Sequence, residues 1–274
     1  MVNFLLINYI LCANNFKINS MKKLLCLLSV ILVTFISCSK DDNESADAAS
    51  SVLLKTRIDI DEDGALYPAK YIYDGNKVSS ITEADGSVMK YTYTGNVITK
   101  IEEFDTKGQL DFTTDYIYEN GKMAVSIERN VGNDYYYKTE YTHNADGTVS
   151  YEGFKGIDST GIEQEYGATG KYTFKDGNVL KLEVSYYGAE STHIYEYDTK
   201  NNPFKNVVGF NLLLDDAAVN NVIKETSTSG SGSTLKTNTI TYSYTYDANN
   251  YPTEKVVSYL SGTSIFEEIT RFVY

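Results

Sequence analysis

Tryptophan is absent from the 274 residues, and proline occurs only three times, at positions 68, 203 and 252. Cysteine is confined to positions 12, 26 and 38, so everything beyond residue 38 can form neither a disulfide framework nor a thiolate metal site. Only two histidines occur, His143 and His193, each beside a threonine in a strand-like stretch, which favours satisfied sheet histidines over ligands or bases. No Gly-x-Ser-x-Gly, His-Glu-x-x-His or phosphate-loop motif is present. These absences remove the commonest nucleophile, metal and nucleotide chemistries. The expectation is a protein that is not an enzyme and carries no cofactor.

The sequence is instead rich in Tyr (25 residues) and Phe (11). They recur in one phrase: aromatic-x-aromatic, a turn of Asp, Asn and Gly, then branched apolar residues. Copies begin at Tyr71-Ile72-Tyr73, Tyr91-Thr92-Tyr93, Tyr116-Ile117-Tyr118 and Tyr172-Thr173-Phe174. Residues two apart share one face of a strand, and the Gly/Asn cluster reverses the chain, so each copy reads as a β-hairpin. Turn signals recur about every ten residues from Val52 to the C-terminus. They predict an all-β fold, a single antiparallel meander of roughly 14–16 strands. So many strands cannot stay flat with open edges, so the sheet is expected to curl into a barrel or half-barrel with the aromatic rows inside. The stretch from Gly156 to Gly170 is poor in pattern and reads as containing a longer loop. Asn202-Pro203-Phe204, followed by Val207, Val208 and Leu212, predicts one short helical insertion near 203–216, lying against an open end or across the concave face.

The single long apolar run, Leu24 to Ile36, has thirteen residues, too few to span a bilayer as a helix. It follows Met21-Lys22-Lys23 and ends in Phe35-Ile36-Ser37-Cys38, which is the layout of a signal peptide. The last four residues resemble the lipobox of bacterial lipoproteins, and that resemblance implies cleavage before Cys38 and its acylation. Residues 1–20 then form an upstream extension, 21–37 the signal peptide, and 38–50 the lipidated Cys and an acidic, disordered tether. Residues 51–274 form the β domain. Residues 39–50 have a reach of about 20 Å. Ser39-Lys40-Asp41-Asp42 also resembles the start of Bacteroidetes-type lipoproteins, which implies display at the outer membrane or cell surface. Cleavage removes Lys17, Lys22 and Lys23 and no acid, taking the formal charge from −13 to −16. Such a surface repels nucleic acid and anionic headgroups, so the membrane partnership expected is through acyl chains alone.

The repeat Tyr-x-Tyr-Asp-x-x-Gly-Asn-x-Val is similar to the YD (RHS-type) repeats of bacterial surface proteins. With Tyr197 to Phe204, Asn220 to Lys224 and Tyr244 to Pro252, the whole of 52–274 resembles Bacteroidetes lipoproteins of unknown function with a porin-like β fold. The resemblance implies a fold and no activity. A membrane-spanning pore fits poorly, because one strand face repeatedly carries Thr, Lys, Glu and Ser, as at Thr92, Lys100, Glu102 and Glu183.

Three candidate sites remain. Asp59-x-Asp61-x-Asp63-Gly64 has the opening spacing of a calcium loop, but Lys70 stands where the bidentate Glu belongs, and a plain acidic turn is favoured. Among the carboxylate pairs Glu102-Glu103, Glu267-Glu268 and Asp215-Asp216, those on strands point to opposite faces. Tyr135, Tyr136 and Tyr137 in succession must show rings on both faces, and with Tyr186 and Tyr187 they are the candidate exposed aromatics. The reading is a non-enzymatic binding or scaffolding module, for glycan or another envelope component. The alternative is a carrier holding an apolar ligand in a curved sheet.

Overall fold

The computed structural model describes residues 52–214, 218–230, 234–261 and 264–274. The segments expected to be a signal peptide and tether, with Cys38, and Asp215 and Asp216, lie outside them. The described residues form β1 (Thr56–Ile60), β2 (Leu66–Asp74), β3 (Lys77–Thr82), β4 (Val88–Thr94), β5 (Val97–Phe104), β6 (Leu110–Glu119), β7 (Lys122–Asn130) and β8 (Tyr135–His143). They continue with β9 (Val149–Ile157), β10 (Ile162–Lys175), β11 (Asn178–Tyr186), β12 (Ala189–Tyr197), β13 (Val222–Ser229), β14 (Lys236–Tyr246), β15 (Pro252–Ser261) and β16 (Ser264–Val273). Every strand pairs antiparallel with its sequence neighbours, and β1 closes the ring on β16 from Thr56↔Val273 to Ile60↔Ile269. The meander is a closed sixteen-stranded barrel, so no edge is left to template aggregation.

The repeat has a physical reason. In four hairpins, and where β13 meets β12 across the long connection, the second aromatic lies opposite an apolar residue at the start of the next strand: Tyr73↔Val78, Tyr93↔Ile98, Tyr118↔Met123, Phe174↔Val179 and Tyr197↔Val222. One residue is extruded beside each pair (Ser79, Thr99, Ala124, Leu180 and Ile223), a β-bulge that coils the ribbon. Rings at this end then reach a main-chain carbonyl at the start of the strand one back. Tyr73 donates to Leu54 O (2.8 Å), Tyr197 to Val179 O (2.8 Å), Tyr244 to Val222 O (2.9 Å) and Tyr274 to Pro252 O (3.0 Å). His143, standing where other copies carry Tyr or Phe, makes the same bond from Nε2 to Met123 O (2.8 Å). An aromatic with a polar tip is what this position selects.

Cross-strand partners point to the same side of a sheet, so the register assigns the faces. Ala69, Tyr71, Ile81, Met89, Val149, Tyr172 and Leu182 face inward and are buried. The outward face carries ion pairs across strands: Lys100–Asp115 (4.0 Å), Arg129–Asp115 (3.4 Å), Lys171–Glu183 (3.2 Å), Lys224–Glu196 (2.8 Å) and Arg271–Glu254 (3.0 Å). A lipid-facing strand must be apolar there, since each Lys or Arg at a bilayer midplane costs about 2–4 kcal/mol. Charged pairs at these positions favour water over lipid, although Ile72, Ile117 and Ile194 are exposed on the same face. Residues 39–274 are expected to purify without detergent and to stay out of liposomes; extraction only with detergent would contradict the assignment.

The connection from Tyr197 to Val222 folds back into one end of the barrel. It is not the short helix expected over 203–216: turns lead to a single 3₁₀ turn, Phe210–Leu212. Gly209 breaks the helix with φ +86°, and a Cβ there would lie 3.1 Å from Ile98 Cγ1 and 3.3 Å from Asn96 O. A left-handed residue pressed against the wall stops the helix and lets the plug seat. Its placement against an open end is as expected. Phe204 and Phe210 stack (5.2 Å) and touch Tyr71 and Tyr91, while Val207, Leu213 and Leu214 are buried. The longer loop expected between Gly156 and Gly170 is also absent. Instead β9 and the fourteen-residue β10 meet in a tight turn, with a register shift between Glu165 and Thr169.

Candidate functional site

With one end plugged, the barrel is asymmetric. The plugged half is apolar, whereas inward positions toward the other end carry Arg57, Asp59, Glu103, Lys155, His193, Glu225 and Lys255. The Arg57 guanidinium gathers this half: Nε donates to Asp59 (2.9 Å), Nη2 to Glu83 (3.2 Å) and Nη1 to the Tyr71 hydroxyl (3.4 Å). Thr270 donates to the other Asp59 oxygen (2.8 Å). Burial raises the Glu83 and Glu103 carboxyls above the usual carboxylate range and lowers the Lys255 ammonium.

His193, Glu225 and Ser191 form a second inward network. His193 Nδ1 lies 2.9 Å from Glu225 Oε1, and Tyr242 donates to Oε2 (3.3 Å). Ser191 Oγ is 3.5 Å from Nε2, at the outer limit of a hydrogen bond. The order is that of a nucleophile–base–acid triad, but Ser191 sits mid-ladder between Val184 and Ser229, where strand amides serve the sheet.

Two of the three calcium-like acids have other partners. Asp59 is held by Arg57 and Thr270, while Asp61 accepts from the Ala65 amide (2.7 Å) and the Tyr67 hydroxyl (3.0 Å). Among the described residues, no three His, Cys, Asp or Glu side chains are grouped to hold an ion. Glu102 and Glu103 diverge: Glu102 faces Lys100 outside (3.6 Å), and Glu103 lies inside opposite Met89. Glu267 accepts from Ser258 and Glu268 from Tyr259.

Four of the five candidate tyrosines converge at the end opposite the plug. Tyr135 meets Tyr137 edge-on (5.7 Å), and Tyr137 meets Tyr166 (4.7 Å). Tyr166 meets Tyr186 (5.6 Å) and Tyr187 (6.0 Å), which contact each other (4.7 Å). The Tyr186 hydroxyl donates to that of Tyr166 (3.0 Å), and Lys155 Nζ lies 4.2 Å over the Tyr135 ring and 5.7 Å over that of Tyr137. The fifth, Tyr136, is on the outer wall, with its hydroxyl on Glu163 (2.6 Å) and Arg129 over its ring. Alternation along β8 separates it from its neighbours. Tyr166 and Lys155, both central to the cluster, were missed by reading the sequence. The signal available was Tyr166-Gly167 inside the stretch set aside as a loop.

Tyr187 occupies a costly conformation. The β11–β12 turn is Tyr187-Gly188, with φ +47° and +80°. Two other hairpins adopt the same pair of signs with Asn120-Gly121 (+53°, +76°) and Asp176-Gly177 (+53°, +80°), the residues such turns select. A tyrosine there carries a penalty on the order of 1 kcal/mol. Its ring rests on Gly167, where a Cβ would come within 2.8 Å, and it remains 69% exposed. Local strain, a glycine seat and solvent exposure coincide at one residue.

No protein-family model matches the chain, and a search of curated proteins finds no match. Among solved structures, the chain is similar to a porin-like protein from Bacteroides uniformis, with 13% identity and a TM-score of 0.44 over 82% of this chain and 98% of that one. At so low an identity and score, the likeness assigns no function to this chain.

Proposed function

We propose that the chain is a lipid-anchored cell-surface or outer-membrane protein, held by acylated Cys38, that binds glycan non-catalytically at the end of its barrel opposite the plug. The observation carrying this reading is Tyr187, strained yet exposed at the head of a five-tyrosine cluster. Folding alone would favour Asn or Gly at that position, so the cost needs a return, and phenol rings stack on sugar faces while their hydroxyls hydrogen-bond. The acidic repeat barrel serves as scaffold for the tyrosine cluster. The carrier alternative draws less support, because the apolar half is filled by Phe204, Phe210 and Leu213.

Tyr187→Asn tests the reading. The variant is expected to keep or raise the melting temperature, by up to about 1 kcal/mol of stability, as the left-handed strain is relieved. On a glycan array it is expected to lose the signal that the parent shows. A clear loss of stability would make Tyr187 a structural residue, and a parent that binds nothing on the array would remove the glycan assignment.

A further inference from the structure

The inner face of the barrel sorts its charges by strand. Among the described strand residues, the inward carboxylates are Asp59, Glu103, Glu128, Glu225 and Glu268. All but Glu225 lie on the arc that runs from β16 through β1 to β7, and Glu83, just beyond β3, joins them through Arg57. Glu128 marks the border, opposite Tyr137. The tyrosine cluster occupies the neighbouring arc, β8 to β11, whose inner face carries no carboxylate among the described residues. Glu163, Glu165, Glu183 and Glu190 on or beside this arc all face outward.

Lys155 stands in the middle of the tyrosine arc. Its cross-strand partners are Tyr137 on one side and Gln164 on the other, so all three side chains point inward. The ammonium is part-buried and rests 4.2 Å over the Tyr135 ring, yet it makes no hydrogen bond or ion pair among the described residues. The Gln164 side-chain amide is exposed and likewise unpaired among them. Lysines on the outer wall differ, since Lys100, Lys138, Lys171 and Lys224 each hold a carboxylate. A cation–π contact meets the charge of an ammonium and leaves its three donors free. The acceptor that suits such donors best is an anion, and beside them lie rings on which a sugar can stack.

We infer that the tyrosine end selects acidic saccharides, sugars carrying a carboxylate, with Lys155 as the carboxylate's partner and Gln164 beside it. The inference rests on the glycan reading above and narrows it. The chain's formal charge of −13 opposes a polyanion at long range, but physiological salt screens that field beyond about 8 Å. The contact at Lys155 is therefore decided by its immediate neighbours.

Titration calorimetry of the full chain in about 0.15 M salt tests this with three probes: trigalacturonate, its methyl ester and acetate. The ester keeps the rings and removes the charge. The acid is expected to bind about ten-fold more tightly, equivalent to about 1.4 kcal/mol, the size of one hydrogen bond to a charged group. Lys155→Met keeps the apolar stem over Tyr135 and should bring the acid down to the ester's value, with ester binding unchanged. Gln164→Glu, at an exposed position that tolerates substitution, supplies an internal carboxylate opposite Lys155 and should abolish the preference without lowering the melting temperature. A preference that survives both variants removes Lys155 from the site. Equal affinity for acid and ester in the parent overturns the selectivity while the glycan reading stands. Acetate binding as tightly as trigalacturonate overturns the requirement for a sugar ring. If neither saccharide binds, both the inference and the glycan reading fail.

Discussion

Replacing Phe210 with alanine is expected to destabilise the barrel by about 3–5 kcal/mol, the range for deleting a buried aromatic ring. Phe210 is only 7% exposed, stacked between Phe204 (5.2 Å) and Tyr91 (5.9 Å), and Phe204 carries the contact on to Tyr71 (5.7 Å). Its position at the 3₁₀ turn limits collapse into the void, because the backbone on one side is fixed by Gly209 against Ile98 and by the Val208 amide donating to Asn76 O (2.9 Å). Against a total stability of about 5–15 kcal/mol for a domain, the loss is severe. Phe210→Leu, which keeps apolar volume, is expected to cost about 1.5 kcal/mol or less. Denaturant unfolding of both variants measures the difference. A cost below about 1 kcal/mol for alanine would show that the connection lies on the barrel without holding it together.

How far this architecture could be read in advance follows from where each signal resides. Tyr71, Tyr73, Tyr91 and Tyr93 announce strands and an inner face through spacing alone, and Asn120-Gly121 and Asp176-Gly177 announce turns through their own backbone preferences. These are local signals, so the meander and its strand number were legible. Closure was not, because Thr56 and Val273 meet across the whole chain and no nearby residue encodes their pairing. The helix expected near 203–216 failed at Gly209, whose left-handed φ is imposed by contact with the wall. Phe204 and Val207 were named among its apolar residues and do pack inward, but the buried Phe210, Leu213 and Leu214 were not, because a helical spacing counted from Phe204 passes over them.

The stretch from Gly156 to Gly170 misled for a related reason. Gly156 lies under the Tyr136 ring, Gly167 under Tyr187 and Gly170 under Tyr151, each too close for a Cβ. Glycine dilutes the alternation that marks a strand, yet here it makes room for rings from neighbouring strands. The candidate site suffered most, since Tyr166 and Lys155 are in that stretch or beside it. Tyr135, Tyr137, Tyr186 and Tyr187 were legible because aromatics in succession cannot all be buried. That Tyr136 faces the other way depends on the register of β8, which three consecutive tyrosines leave open.

Raising the pH is expected to unfold the barrel cooperatively between about pH 10 and 12, because its core depends on neutral phenols. Burial pushes the hydroxyls of Tyr71, Tyr93 and Tyr118 up to about 12, and it also raises those of Tyr73, Tyr197, Tyr242, Tyr244 and Tyr274. An unfolded tyrosine ionises near 10. With the folded value above the unfolded one, the protonated form is favoured by folding, so the contribution is intact below about pH 10 and is lost as pH rises through the folded value. For Tyr71, only 6% exposed, a rise of about two units is worth up to about 2.7 kcal/mol. The part-buried Tyr93 and Tyr118 contribute less each. Summed over several rings, even discounted values reach the stability of the whole domain. Those phenols that donate to main-chain carbonyls, as Tyr73 does to Leu54 and Tyr197 to Val179, also lose the donor when they ionise. The buried tyrosines should therefore ionise only as the barrel opens, with ultraviolet phenolate absorbance and near-ultraviolet circular dichroism changing together. A smooth titration centred near pH 10 with the dichroism unchanged would show that the rings are in water, and the inward aromatic core would have to be abandoned.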